Sequence, residues 1–442
     1  MALLMLAGCE EAPVAVVAPP YPQAEKLVVV TPHNELIRAV FERAFSDWHN
    51  KEFQKYVEID WITMGTPQCV QYVLDSAQSD AAHAGRSVPD VMFGGGVSDH
   101  GVIAAKGLAR PVDLGELEAQ LPASIAGIAT RDGENRWHSS ALSGFGMLVN
   151  AKACEQRGIA PPQGWADLAD PRFFGWVALA DPERSGSNRQ CLTIVLQKYG
   201  WEKGWGIILR MAANARALAA SSEEVISSTA SGLCLAGLTV NFNGLRAMEE
   251  HPAGTLAYVN PADASAITPD VLTVLALGFH PEVAERFVRF CVGEDGQKAW
   301  GVKAEFRGGY NDTLYRYPID PRFYGEQKDQ LGVPDNPLKM DSILALDQKV
   351  EEELARVVAP LVNAACGDQH VTLQRCWRRM IEAGLPEGAL AELTAPIVSE
   401  SEARTAGETL QAGGEPAKQL VESWAGLFKA KYEKVLAMLP AR

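Results

Sequence analysis

From Lys26 onward the chain alternates short, unbroken apolar runs with segments whose apolar residues recur every three to four positions. That alternation restricts the fold more than any other feature, because the two periods belong to strands and helices respectively. Residues 27–30 (LVVV) form a continuous run of the kind found in a parallel sheet covered on both faces. Leu36, Ile37, Val40, Phe41, Ala44, Phe45 and Trp48 then follow at helical spacing, with Arg38, Glu42, Arg43 and Asp47 on the opposite face. Residues 57–61 alternate as a strand, Thr66-Pro67 opens a helix as cap and first turn, and residues 90–93 make a third short strand ending in Gly94, Gly95 and Gly96. Strands joined by helices imply an α/β sheet with right-handed crossovers.

The scheme recurs further on, with strands expected at 176–180, 235–240 and 271–277 and helices following the first and last of them. Two α/β lobes fit this better than one. After Pro318 the pattern changes, and residues 338–442 are expected to form a helical C-terminal extension, broken between Gly407 and Pro416 and packed by default against a lobe. The expected organisation is therefore a lead over 1–24, lobe I over 25–112, lobe II over 113–264, a return to lobe I over 265–302, a closing segment of lobe II over 303–337, and the extension over 338–442.

Charge narrows the partners. The 442 residues carry 40 Lys or Arg against 55 Asp or Glu, a formal charge of −15, so no basic surface for nucleic acid is expected. One small anion held locally by backbone N–H groups and hydroxyls remains compatible with that charge. The eight cysteines include Cys9; the other seven are odd in number, lack a C-x-x-C and mostly sit in apolar runs, which favours buried thiols over a disulfide framework. Cys366 and Cys376 are the one pair worth testing. The eight histidines show no H-x-x-x-H and no cysteine partners at zinc spacing, and neither a nucleophile elbow nor a P-loop is present. No resident metal or cofactor and no catalytic residue is expected.

Two helix starts do carry information. Thr31, Pro32, His33 and Asn34 lie at the carboxyl end of the first strand, and Ser185, Gly186 and Ser187 follow the turn after the strand at 176–180. Free N–H groups and the positive end of the helix dipole let such ends hold an anion without lysine, and ligands of open α/β sheets sit at the carboxyl ends of strands. Plain helix capping would account for either segment alone.

Residues 162–171 (PQGWADLADP) and 175–187 (GWVALADPERSGS) resemble the signature of the iron(III)-type extracellular solute-binding proteins of bacterial ABC importers, with residues 89–93, 140–147 and 290–297 matching in order over about 26–320. The resemblance implies a bilobed type II periplasmic-binding-protein fold that closes on its ligand. His33 matches the histidine of ferric members, whereas the glycine run at 94–96 replaces their Glu and Phe242-Asn243 replaces their paired tyrosines, so the hard-oxygen ligand set for Fe(III) is incomplete. The Ser-Gly-Ser anion loop is retained. The resemblance thus implies a receptor for a phosphate ester, phosphonate or carboxylate. Ser185, Gly186 and Ser187 would grip the anion, with Thr31, His33, Asn34 and Gly95 facing it from lobe I and Ser143 and Asn243 reading the rest. His33 beside an anion would favour its protonated form. A ferric-ion or metal-complex carrier, a sensor-coupled receptor and an enzyme are the alternatives on the same fold.

Residues 6–9 (LAGC) resemble the lipobox of bacterial lipoproteins, with Cys9 as the lipid-bearing residue and the proline-rich 10–23 as a tether, although no Lys or Arg precedes the apolar run. The implied setting is periplasmic and lipid-anchored, as a monomer partnered by an ABC permease.

Overall fold

The computed structural model describes residues 24–78, 88–262, 264–308, 312–325, 327–340, 343–367 and 369–440; the lipobox, Cys9 and the tether lie outside them. Its first unit starts with β1 (Glu25–Thr31), α1 (Glu35–Phe53), β2 (Val57–Thr63), α2 (Thr66–Gln78), β3 (Val91–Phe93) and α3 (Val97–Ala105). The apolar stripe of α1 behaves as its spacing requires: Ile37, Val40, Phe41, Ala44 and Phe45 are buried, each large side chain contributing about 1.5–3 kcal/mol. Asn34 starts this helix by accepting the Ile37 N–H at 3.1 Å, and Gln54 ends it in the left-handed region at φ 59°. Phe41 lies 4.2 Å from Trp300 and 5.1 Å from Phe93, so Phe41→Ala would open the centre of this core.

The second unit holds β4 (His138–Asn150), β5 (Val177–Ala180), α4 (Gly186–Tyr199), α5 (Trp201–Asn214), β6 (Ala215–Ala219), α6 (Ser222–Ala230), β7 (Ala236–Val240), α7 (Asn241–Glu249) and β8 (Leu256–Val259). The chain then returns through β9 (Ala266–Leu275), α8 (Pro281–Val292) and α9 (Glu294–Gly301) to the first unit, and β10 (Tyr317–Pro318) pairs back onto β4. All of the large strands share one sheet in the order β2-β1-β3-β9-β4-β7-β5-β6. β1 runs parallel to β2 and β3, and β5 runs parallel to β6 and β7; the long antiparallel pair β9 and β4 links these two parallel sets. Two apolar cores result. One gathers Leu27, Phe41, Phe93, Phe287 and Trp300, and the other gathers Met147, Val177, Leu192, Ile208 and Leu238.

The extension is helical, as expected, but begins later and breaks more briefly. It comprises α10 (Gln348–Cys366), α11 (His370–Glu382), α12 (Glu387–Thr394), α13 (Glu400–Ala412) and α14 (Gly414–Met438). Only Gly413, at φ 70°, interrupts the last two helices. Gly407 stays inside α13 because it packs against α10, where an added Cβ would already touch Val357 at 3.4 Å, and Pro416 fits the unbonded first turn of α14. The extension joins the second core through Leu354, Val358, Trp377 and Tyr432. Trp377 Nε1 donates to Asn214 Oδ1 at 2.6 Å and Trp201 Nε1 donates to the Val398 carbonyl at 2.8 Å. All seven described cysteines, Cys366 and Cys376 included, are free and buried. No described helix is long and apolar enough to cross a membrane.

Candidate functional site

A cleft of about 610 Å³ opens between the two units at the carboxyl ends of their strands. Its lining brings together His33, Asn34, Gly95, Ser143, Ser185, Gly186, Ser187 and Asn243, eight of the nine residues expected there. Thr31 is the exception. Its side chain is fully buried beneath the cleft, where the hydroxyl donates to the Phe93 carbonyl at 2.6 Å and accepts the His33 N–H at 3.1 Å. It braces the strand–helix corner and cannot meet a solute.

On the second unit the site is built from hydroxyls. Ser185 caps α4 by accepting the Asn188 N–H at 3.2 Å, which leaves the first-turn N–H groups of Gly186 and Ser187 outside the helical ladder. Ser222 opens α6 while Ser221 serves as that helix's cap. The three hydroxyls of Ser185, Ser187 and Ser222 lie within 2.7–3.2 Å of one another. A triangle of hydroxyls at two converging helix starts offers donors and positive dipole ends to one anion at no cost in buried charge. Ser222 was missed in the sequence, although a Ser-Ser pair with Glu224 beyond it is the same kind of start signal as Ser-Gly-Ser.

The floor carries a second arrangement, which sequence reading did not find. Arg316, only 2% exposed, pairs with Asp270, and its Nη1 donates to Ser143 Oγ at 3.0 Å. Its guanidinium is sandwiched at 4.2 Å from Phe242 and 4.9 Å from Trp300. Burial pulls its pKa down to about 9, so it stays charged at neutral pH. Asp270 also accepts the Gly95 N–H at 3.1 Å and lies 3.2 Å from His33 Nε2. His33 was expected to favour its protonated form beside a bound anion; against the protein's own groups it is neutral. Burial, and then the Arg316 charge, hold its pKa well below the ordinary value, so the neutral ring donates Nε2–H to Asp270. An ionisable residue inside the apolar strand run was a usable signal for Asp270; Arg316, a lone basic residue between two tyrosines, gave none.

The units also touch across the cleft. Arg189 Nη2 on α4 meets Asp99 Oδ1 on α3 at 2.7 Å, both largely buried. Gln68 Nε2 donates to the Glu183 carbonyl at 3.3 Å. Two glycines make the approach possible: a Cβ on Gly186 would stand 2.7 Å from Thr66 Oγ1, and one on Gly65 would stand 2.4 Å from the Arg184 carbonyl oxygen. Among the described residues, no three His, Cys, Asp or Glu side chains are grouped as metal ligands.

Residues 88–306 match the family model described as bacterial extracellular solute-binding protein. That match covers just under half of this chain. Its curated relatives include the phosphoglycerate transport regulatory protein PgtC of Salmonella typhimurium, 29% identical over 181 residues that make up 41% of this chain and 42% of the relative. The chain therefore spans less than half the length of that relative. Among solved structures, the periplasmic binding protein AfuA of Actinobacillus pleuropneumoniae with exogenous fructose-6-phosphate bound aligns at a TM-score of 0.60 and 17% identity, covering 82% of this chain and 99% of AfuA. Iron-bound HitA from Pseudomonas aeruginosa aligns at 0.58 and 17%, covering 76% and 99%. These similarities establish the type II periplasmic-binding-protein fold of this chain.

Proposed function

We propose that this protein is the receptor of an ABC importer that captures a small anionic organic solute, with a phosphate ester favoured over a phosphonate or carboxylate. The observation that carries the reading is the Ser185–Ser187–Ser222 hydroxyl triangle at the converging starts of α4 and α6, inside the cleft between the lobes. The phosphoryl oxygens would take those hydroxyls and the Gly186 and Ser187 N–H groups, replacing water with fixed donors. The buried Arg316 of the floor and the largely buried Arg189 of the interlobe pair are already matched by Asp270 and Asp99, so the anion's partner is the neutral cradle. Ser143, Asn243 and the His33–Asp270 pair would read the organic part. Closure would then bring α2 and α3 over the solute, the Gly65 and Gly186 contacts fixing how near the lobes come. The names of two similar proteins, one a phosphoglycerate transport regulator and one solved with fructose-6-phosphate, agree with this chemistry. The reading includes a monomeric receptor, lipid-anchored through Cys9 and handing its solute to a membrane permease.

A thermal-shift screen of phosphorylated sugars, phosphoglycerates, phosphonates and dicarboxylates tests the class. A phosphate ester should give the largest upward shift. A shift from unphosphorylated dicarboxylates alone would overturn the phosphate reading, and stoichiometric iron after anaerobic purification would replace it with the metal-carrier reading.

A further inference from the structure

The C-terminal extension lies outside the residues matched to the family, yet α10 reaches the rim of the cleft. It packs along α4 of the second lobe and also touches α3 of the first. Val97 and Ala104 of α3 share an apolar cluster with Leu346, Leu354 and Val358 of the extension. At this three-helix junction Glu351, 6% exposed, accepts a hydrogen bond from Gln190 Nε2 at 3.1 Å. Gln190 itself lines the cleft, and its neighbour Arg189 makes the interlobe ion pair with Asp99.

We infer that Glu351 is a positioning residue of the solute cleft: reaching in from the C-terminal extension, it holds the first turn of α4 against α3 and clasps the two lobes in the closed arrangement. The inference rests on the receptor reading for its effect on solute affinity, though the clasp itself does not. The charges acting on Glu351 are Arg189 on α4, Asp99 on α3 and Glu352 on α10. Burial first of all raises its pKa to about 7; Gln190 and Arg189 oppose that shift, and Asp99 and Glu352 add to it. The clasp is therefore complete below about pH 4.5, where the acid is neutral whether or not it is buried. As pH rises from there to about 7 burial holds the group neutral against its tendency to ionise, so closure weakens progressively and then levels off.

The full-length protein tests this with nitroxide labels at the exposed positions Glu58→Cys and Glu202→Cys, one on each lobe, and with inorganic phosphate as the binding probe. Glu351→Ala should shift the solute-free distance distribution toward longer separations and weaken phosphate binding roughly five- to tenfold, the equivalent of one lost hydrogen bond. Glu351→Gln keeps the acceptor without the titration. It should retain the wild-type distances at about pH 4.5 and lose the wild-type lengthening between about pH 4.5 and 7. Wild-type distances and affinity in Glu351→Ala would overturn the inference, as would an unchanged pH profile in Glu351→Gln; the second variant decides alone if the first does not fold. If phosphate fails to bind the wild type, the solute reading fails while the distance measurements still decide the clasp.

Discussion

Replacing Ser222 with alanine removes one hydroxyl from the cradle and little else. Ser221, not Ser222, accepts the Glu224 N–H as the cap of α6, so the change in folding stability should stay within about 0.5 kcal/mol. Ser222 lies 2.7 Å from Ser185 Oγ and 3.0 Å from Ser187 Oγ, and losing it leaves Ser187 Oγ with Ser185 Oγ at 3.2 Å, while Ser185 Oγ still accepts the Asn188 N–H. A hydrogen bond to a charged group is worth about 1.5–3 kcal/mol, so affinity for a bound phosphate ester should fall by about 10- to 150-fold. Calorimetric titration of Ser222→Ala against the strongest solute of the screen measures that loss, with thermal unfolding of the free protein as control. Ser185→Ala should lose comparable affinity and, because Ser185 caps α4, about 1 kcal/mol of stability as well. A folded Ser222→Ala whose Kd lies within twofold of wild type would refute the cradle, since no other change could compensate a missing donor so closely.

Asp270→Ala leaves the Arg316 guanidinium buried without its carboxylate and should cost about 3–5 kcal/mol in denaturant unfolding, whereas Asp270→Ala/Arg316→Met should recover most of that; a single variant as stable as wild type would contradict the floor as described. His100 is held neutral by burial, with its pKa lowered to about 4, so the unfolded chain takes up this proton first. Stability should be level above about pH 6.5 and fall by about 3 kcal/mol toward pH 4, and His100→Gln should flatten that limb of a stability–pH curve; an identical acid slope would dismiss the assignment. Trp377→Phe deprives the buried Asn214 Oδ1 of its donor and should lower stability by about 1–3 kcal/mol, read from the denaturant midpoint, with no shift arguing that the extension is not anchored there.

What was legible beforehand follows a physical division. The strands and helices around the cleft have strong local periodicity, and residues 185–187 announce an anion-competent helix start through their own chemistry. Asp270 and Arg316 do not: they are 46 residues apart and acquire meaning only when β9 and the segment before β10 are brought onto β4. Thr31 erred the other way, because a hydroxyl at a strand end has two equal uses and only tertiary contacts choose bracing over binding. The neutral state of His33 against its protein surroundings was not legible, because local sequence shows neither its burial nor the guanidinium nearby. In the extension, a glycine and a proline looked like one long break, yet Gly407 serves close helix packing.

The seven sealed thiols bear on how the chain would mature in the oxidising setting of the proposed receptor. Burial raises the pKa of Cys234 and Cys376 to about 11 and of Cys366 to about 12, so the folded protein presents almost no thiolate to an oxidant. Protection is a property of the finished core alone. Before that core closes these sulfurs are exposed, and because all seven described cysteines are free in the folded chain any disulfide among them is non-native. The collapse that buries Cys191, Cys366 and Cys376 must therefore outpace oxidation. Slowing that collapse, by cold or by a core lesion, should trap mispaired chains that a reductant would rescue.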